Sequence, residues 1–204
     1  MKLYYSPGAC SLSPHIALHE AGLPHELVKV DLRAKTTENG EDFTKINPKG
    51  QVPTLVTDDG LTITEGPVIV QAIADKAADK NLAPANGTLE RYRLQEWLNF
   101  LTSELHKNFS PLFQPALSEE SKQFFRDRVT GKFQYVDQSL AGKDYLMGKQ
   151  FTVADGYLFV MLAWAERMKL DLAKFGNLMA FKARVAARPG VQSALKMEGL
   201  LQAS

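Results

Sequence analysis

Hydrophobic and polar residues follow two different patterns along this chain. In the first part, short apolar runs alternate with polar residues at the period of two that is typical of strands, and turn-forming residues separate the runs. Strands are predicted at residues 2–5, 26–31, 54–57 and 61–64. Helices are predicted at residues 11–21 and from Thr64 or Glu65 onward. Gly22 follows the first helix and Pro67 stands near the start of the second, which are the positions that these residue types favour.

The order of these elements predicts a small α/β domain. The first two strands are separated by one helix, so they are expected to be parallel neighbours in a βαβ unit. Asp58-Asp59-Gly60 is a hairpin turn signal, so the next two strands are expected to be antiparallel. The order βαβ followed by ββα is typical of a thioredoxin-like domain, which we assign to residues 1–80. The polar segment 32–44 is expected to be irregular.

Beyond a linker at residues 77–87, the apolar residues keep only a helical period. Helical windows lie at residues 88–108, 118–140, 152–168, 174–187 and 191–198. In the first window one stripe of residues is expected to form the core: Leu94, Trp97, Leu98, Leu101 and Leu105. The third window begins with Thr152 and Asp155 in capping-box spacing, and we assign them a structural role only. An all-α domain is therefore predicted over residues 87–204.

Composition and charge exclude several classes of function. The chain has 204 residues, and its 24 Lys and Arg against 23 Asp and Glu give a net charge of +1. These charges are interspersed, which argues against a nucleic-acid-binding surface. No apolar run is long enough for a membrane span, and the start lacks the apolar core of a signal peptide. The single cysteine cannot form an internal disulfide, which favours a cytoplasmic location.

That cysteine, Cys10, lies just before the N-terminus of the first predicted helix. The free amides and the dipole of a helix start favour an anion, so the position favours a thiolate. Position 13 is a serine, so the chain lacks the second cysteine of a redox pair, and the expected redox product is a mixed disulfide with a small thiol. The alternative is that Cys10 is an ordinary buried residue.

The stretch Asn47-Pro-Lys-Gly-Gln-Val-Pro-Thr-Leu55 passes from a loop into a buried strand. Pro53 is expected at the first strand position, with a structural role, and the Val52–Pro53 bond is predicted to be cis. The amide and carbonyl of Val52 would then be available to an extended peptide. Glu65 and Gly66 offer a carboxylate and a helix-start amide side by side, which suits the α-amino-acid end of a ligand.

Histidines raise the question of a metal site. His15 and His19 are four residues apart on a predicted helix, a spacing that zinc sites use. No third ligand other than Cys10 is evident nearby, so no metal is expected.

A polar side of the window 88–108 carries Asn99, Ser103, His106 and Lys107, which by themselves are typical of a solvated helix face.

These motifs together resemble a known family. Ser-Pro-Gly-Ala-Cys at the first turn, the proline loop, Thr-Glu-Gly at a helix start and Phe-Thr-Val-Ala-Asp in the helical part are similar to glutathione S-transferases. The resemblance covers the whole chain and is strongest to the bacterial beta class, whose mark is Cys10 together with His106.

The resemblance implies that glutathione is the co-substrate, that no metal is needed, and that Cys10 and His106 are catalytic. It places the residues that bind glutathione at Cys10, Lys35, Val52, Glu65, Gly66, Asn99, Ser103, His106 and Lys107. Some of these would come from a partner subunit, which implies a homodimer. Gly66 departs from the family, because many relatives carry serine there. Other classes activate the sulfur with tyrosine or serine, so Tyr5 and Ser11 remain alternatives to Cys10.

The implied function is transfer of the glutathione thiolate to small apolar electrophiles in detoxification, with the helical domain forming a wall of the electrophile site. One alternative is a glutathione-dependent thiol–disulfide oxidoreductase or reductive dehalogenase acting through Cys10. Another is a non-catalytic binding or regulatory module, since a fold does not fix a function. The expected partners are glutathione, a small hydrophobic electrophile and a second subunit. Neither nucleic acid nor a membrane is expected as a partner.

Overall fold

The computed structural model of this protein describes residues 1–201. The strands are β1 Lys2–Tyr5, β2 Glu26–Asp31, β3 Thr36–Thr37, β4 Thr54–Val56 and β5 Thr62–Thr64. The helices are α1 Leu12–Ala21, α2 Gly66–Lys76, α3 Leu89–Phe100, α4 Lys107–Phe109, α5 Glu119–Ser139, α6 Val153–Arg167, α7 Gly176–Ala186 and α8 Pro189–Met197. Among these residues, no helix is both long and apolar enough to cross a membrane.

The chain forms two compact units. The first is Met1–Ala83 together with the segment from Arg188 to the end of the described chain, and the second is Pro84–Ala187. The sequence predicted a division into residues 1–80 and 87–204. The structure differs in its last segment, because α8 packs on α1 of the first unit. Val191 and Ala194 form the buried side of α8, and an ion pair between Arg188 and Glu20 also joins it to α1.

The first unit is built on one five-stranded sheet with the order β3-β2-β1-β4-β5. β1 and β2 are parallel, with Leu3 opposite Leu27, and α1 connects them. β4 and β5 form an antiparallel hairpin, with Leu55 opposite Ile63. Both pairings confirm the predicted βαβ and ββα units, and therefore the predicted α/β class of this unit.

The segment 32–44, predicted to be irregular, contains regular structure. β3 pairs antiparallel with β2, with Thr37 opposite Val30, and a 3₁₀ turn at Phe43–Lys45 follows. Phe43 is fully buried and belongs to the same hydrophobic cluster as Val30. A two-residue strand of threonines is too short to show a period of two, and this is why the sequence pattern missed it.

The second unit is helical throughout, as predicted for the C-terminal domain. The predicted window 88–108 is one continuous helical segment, but its winding changes. α3 passes into a π-helical stretch at Leu101–His106, then into α4 and a 3₁₀ turn at Ser110–Phe113. The stripe of leucines at positions 94, 98, 101 and 105 is buried, whereas Trp97 is only half-buried. α6 is buried on nearly every side.

Asp155 fixes the start of α6. One of its carboxylate oxygens accepts a hydrogen bond from the Thr152 amide (2.7 Å) and from the Thr152 hydroxyl (2.9 Å). The other oxygen accepts a hydrogen bond from the amide of Leu146 (2.8 Å). The geometry therefore supports the structural role assigned to Thr152 and Asp155, and it shows that Asp155 also holds the preceding loop.

Candidate active site

The proline loop of the first unit is shaped by a buried asparagine. The side-chain amide of Asn47 donates to the carbonyl of Gln51 (2.8 Å) and to the hydroxyl of Thr54 (2.9 Å). Its oxygen accepts a hydrogen bond from the amide of Lys49 (3.1 Å). The Val52–Pro53 bond at the end of this loop is cis, as the sequence predicted. Asn47 and Thr54 therefore position the loop, a role that the sequence analysis did not assign to them.

Cys10 contacts this loop directly. It lies in the turn immediately before Ser11, the N-cap residue of α1, and it is half-buried. Its thiol donates to the carbonyl oxygen of Val52, with a sulfur–oxygen distance of 3.3 Å. Two residues that the sequence singled out separately, 42 positions apart, are thus in contact. Only the protonated thiol can donate this hydrogen bond, because a carbonyl oxygen only accepts hydrogen bonds.

The two alternatives to Cys10 differ in their surroundings. Ser11 is fully buried, and its hydroxyl donates to the carbonyl of Ser6 (3.2 Å) and accepts from the amide of Ser6 (3.1 Å). That hydroxyl is occupied in shaping the turn before α1. Tyr5 is half-buried, and burial, followed by the nearby charge of Glu198, raises its pKa. Its phenol therefore stays neutral near pH 7, where it could donate a hydrogen bond.

Glu65 and Gly66 stand at the start of α2. Glu65 has a φ of 68° and Gly66 is the first helical residue. The carboxylate of Glu65 lies 2.5 Å from the ammonium of Lys49, which also donates to the hydroxyl of Thr64 (3.0 Å). Lys49 was not among the residues that the sequence marked. Because both members of this ion pair are more than half exposed, water screens it and a ligand could exchange for either partner.

Lys35 reaches the same loop from the turn after β2. It has a φ of 58°, and its ammonium donates to the carbonyl of Gly50 (2.8 Å). Gly50 itself has a φ of 59°, and a Cβ atom there would come within 3.3 Å of the Lys35 side chain. A glycine at this position therefore allows both the turn and the close approach of the lysine.

In the second unit, His106 ends the π-helical stretch. Its Nδ1 lies 2.5 Å from the hydroxyl of Tyr157, and the ring of Trp164 packs edge-on at 4.9 Å between centroids. Burial, followed by the charge of Lys107, lowers the pKa of His106 to about 4. The imidazole is therefore neutral near pH 7. When Tyr157 donates to Nδ1, the ring proton stands on Nε2 and is available to an anion.

The other predicted residues of this helix are exposed. Asn99, Ser103 and Lys107 all lie at the surface of the second unit, and the hydroxyl of Ser103 donates to the carbonyl of Asn99 (3.0 Å). Nothing in the local sequence of Tyr157 marks it as a partner of His106. The structure adds it to the candidate residues.

The first unit thus gathers groups that suit a thiol peptide. It offers a thiol beside the proline loop, backbone groups for an extended chain, a carboxylate for an ammonium group, and two lysines for carboxylates. No single one of these groups is specific, but together they match a short charged peptide that carries a sulfur.

Comparison with known proteins agrees with this arrangement. The model of the glutathione S-transferase N-terminal domain matches residues 8–76, and that of the C-terminal domain matches residues 100–189. Glutathione S-transferase GstA of Escherichia coli O157:H7 is 48% identical over 200 residues, which cover 98% of this chain and all of that protein.

Two solved structures are also similar to this chain over nearly its whole length. A sphingomonad glutathione S-transferase complexed with glutathione is 51% identical with a TM-score of 0.95, and it covers 98% of this chain and 100% of its own. The bacterial beta-class enzyme of Sphingomonas chungbukensis is 50% identical with a TM-score of 0.96, at the same coverage. This chain therefore belongs to the glutathione S-transferase family and to its bacterial beta class, which confirms the resemblance drawn from its sequence.

Proposed function

We propose that this protein transfers the thiolate of glutathione to small apolar electrophiles. The observation that carries the proposal is the contact between the Cys10 thiol and the Val52 carbonyl, which puts sulfur chemistry beside a peptide-binding backbone. Glutathione is a tripeptide with a central cysteine. Its cysteinyl backbone would pair with Val52 as a short added strand, and its sulfur would then lie near Cys10.

The charged groups around the loop suit the two ends of that tripeptide. The γ-glutamyl ammonium would replace Lys49 as the partner of Glu65, and the adjacent carboxylate would accept from the amide of Gly66. The glycyl carboxylate would bind Lys35, whose ammonium now donates to a backbone carbonyl of the loop. The first exchange replaces one solvent-screened ion pair with another, and the second replaces an ammonium–carbonyl hydrogen bond with an ion pair.

The four residues assigned to glutathione in the helical unit, Asn99, Ser103, His106 and Lys107, stay predictions. The chemical state of His106 supports one particular role for it. An imidazole with a pKa of about 4 is too weak a base to keep the glutathione proton near pH 7. Its Nε2 proton can instead stabilise a thiolate as a hydrogen-bond donor, so the glutathione proton would leave to water.

A detoxifying role, a cytoplasmic location and a homodimeric state are part of the same proposal. They rest on the family resemblance and on the composition of the chain. Sedimentation at micromolar concentration tests the dimer, because a chain that stays monomeric there has no partner residues to offer to its glutathione.

The alternatives use the same cysteine in a different way. In a thiol–disulfide oxidoreductase, the Cys10 thiolate would attack a mixed disulfide, and the released thiolate would carry away the electron pair. A reductive dehalogenase would use similar cysteine chemistry, and a binding module would use none. The comparisons support the transferase above these alternatives.

The test combines binding and catalysis. Wild-type protein should be retained on a glutathione-affinity column and should conjugate glutathione to a chlorodinitrobenzene. Cys10→Ala should keep a measurable part of the conjugation rate, since the backbone and His106 still stabilise the anion. Oxidised glutathione should add one glutathione mass to the wild type, removable by a reductant, and none to Cys10→Ala.

Three outcomes distinguish the functions. If the wild type shows neither retention on the column nor conjugation, the proposal is overturned in favour of a binding module for another ligand. Disulfide exchange without conjugation favours the oxidoreductase. Complete loss of conjugation in Cys10→Ala, with Cys10→Ser equally inactive, would make the cysteine the sole activator and would leave His106 without the role given to it here.

A further inference from the structure

Three histidines of the first unit form a cluster that does not include Cys10. His15 and His19 lie on α1, and His25 directly precedes β2. One ring nitrogen of each lies within 4.8 Å of the corresponding atoms of the other two. No metal was expected from the sequence, because no third ligand other than Cys10 was evident near His15 and His19. The turn at Gly22, whose φ is 65°, reverses the chain after α1 and returns His25 to the pair.

The spacing of the nitrogens suits a tetrahedral ion. The Nε2 atoms of His15 and His19 are 3.2 Å apart. Two nitrogens bound tetrahedrally at the usual zinc–nitrogen distance lie about 3.3 Å from each other. The Nε2 atom of His25 is buried and has no hydrogen-bond partner within residues 1–201. A buried polar atom without a partner is costly, so this nitrogen is a sign of a ligand.

The other ring nitrogens are held in the way that metal-binding histidines usually are. Nδ1 of His15 donates to a carboxylate oxygen of Glu198 (2.9 Å), and both side chains are fully buried. Nδ1 of His25 donates to the backbone carbonyl of Leu23 (2.8 Å). Each bond fixes the tautomer that leaves a lone pair on Nε2, and carboxylate or carbonyl partners of this kind orient metal ligands.

The surroundings favour a transition-metal cation. Three imidazoles without a carboxylate ligand suit zinc, nickel or copper and not magnesium or calcium. His19 and His25 are half-buried, so water can reach the site as a fourth ligand.

We propose that His15, His19 and His25 bind one Zn²⁺ through their Nε2 atoms, with water as the fourth ligand. In the ion-free protein the Nε2 proton of His19 faces the lone pair on Nε2 of His15, and this proton moves to Nδ1 of His19 when the ion binds. This site is separate from the glutathione chemistry, but it is tied to the loop that carries Cys10. Glu198, which holds His15, also accepts a hydrogen bond from the amide of Gly8 (2.8 Å).

The test uses the full chain without an affinity tag, stripped of metal with a chelator. Titration calorimetry with zinc chloride should give one equivalent bound per chain, and magnesium chloride should give no heat. His19→Ala and His25→Ala should each weaken zinc binding at least about tenfold. Glu198→Gln should weaken it by ~10–100-fold, the range expected for a group that orients a ligand.

The chain offers matched controls. His106 is its fourth histidine, so His106→Ala removes the same group elsewhere and should leave zinc affinity unchanged. Cys10→Ser should also bind zinc as the wild type does, and the Co²⁺-loaded protein should show tetrahedral ligand-field bands without a sulfur charge-transfer band. At a hundredfold excess over Kd, zinc should raise the Tm of the wild type by about 5 °C and that of His25→Ala by much less.

Two results would overturn the site. One is the absence of zinc binding in the wild type, which would mean that the three rings form only a hydrogen-bonded network. The other is zinc binding that survives both His19→Ala and His25→Ala or disappears in Cys10→Ser, which would place the ion elsewhere. Neither result depends on conjugation activity, so the metal site and the transferase can fail separately.

Discussion

Two buried carboxylates organise the two units in contrasting ways. Asp155, in the helical unit, accepts hydrogen bonds from Thr152 and Leu146, three and nine positions away. Glu198, in the sheet-containing unit, accepts them from His15 and Gly8, which are 183 and 190 positions away. Each carboxylate binds backbone or ring N–H groups in an apolar setting. They differ in how far along the chain their partners lie.

The difference shows what each contact is for. Asp155 closes a local motif, and its partners define where one helix begins. Glu198 joins the C-terminal segment to the turn before Cys10 and to the histidine cluster. A short-range carboxylate of this kind supports one element, whereas the long-range one connects elements that carry chemistry. Five predictions test this contrast or extend it to the candidate active site, from the largest expected effect to the smallest.

Removing the local carboxylate should have the largest effect on stability. Asp155→Ala leaves two buried amides and a hydroxyl without their acceptor, so the free energy of unfolding should fall by about 4 kcal/mol. Urea unfolding measures this loss. Asp144→Ala is the control, because Asp144 forms an exposed ion pair with Arg184 and should cost less than ~1 kcal/mol. Equal losses in the two variants would contradict the role of Asp155.

Weakening the long-range carboxylate should cost less stability but reach the active loop. In Glu198→Gln, one of the two donors faces an NH₂ group, so the free energy of unfolding should fall by about 3 kcal/mol. Hydrogen exchange at the Gly8 amide should accelerate by about tenfold or more. Glu166→Gln, at an exposed pair with Lys182, should change neither quantity. Unchanged exchange at Gly8 would mean that Glu198 does not hold the loop.

His106 extends the comparison to a titrating group with a distant partner, Tyr157. Its pKa is about 4 in the folded protein, whereas a histidine in the unfolded chain has a pKa of about 6.5. Between pH 4 and pH 6.5 the unfolded state therefore binds more protons than the folded state. Stability from this group is complete above pH 6.5 and is lost as the pH falls toward 4. Between pH 7 and pH 5 the wild type should lose about 2 kcal/mol more than His106→Phe.

The same variant separates His106 from the other histidines. The rest of the titration, including that of His19 and His25, is common to both proteins and cancels in the difference. Parallel stability curves from pH 7 to pH 5 would show that the imidazole is solvated and that burial does not keep it neutral. In the conjugation assay, Tyr157→Phe should lower kcat without shifting the pH profile, because it removes the hydroxyl that fixes the tautomer.

Gly66→Ser should have the smallest effect, since it adds a group where nothing depends on the glycine. A Cβ atom there would lie 3.8 Å from the ring of Pro53, an ordinary contact, and stability should change by less than ~0.5 kcal/mol. The new hydroxyl would give the γ-glutamyl carboxylate a further donor. The KM for glutathione should therefore fall by about threefold to tenfold. An unchanged KM would place the γ-glutamyl end away from the start of α2.

Much of the fold could be predicted from the order of residues. The strands on either side of α1, the hairpin of β4 and β5, and the cap at Asp155 are elements that local sequence patterns mark. Such elements are decided by periodicity, by turn residues and by capping groups, which act over a few positions. β3 was missed because two residues carry no period. The meeting of Cys10 with Val52 was expected only through the resemblance to a family.

Other features depend on the tertiary structure. The place of α8 on α1, the partners of Glu198, the ion pair of Lys49 with Glu65 and the hydroxyl beside His106 join residues that no local pattern relates. His25 is the clearest case, because its sequence neighbours suggest only a turn, and the reversal of the chain at Gly22 makes it the third histidine of a cluster. Local propensities determined which elements form. Burial of their apolar faces determined which side chains came together, and the chemistry of this protein depends on those side-chain contacts.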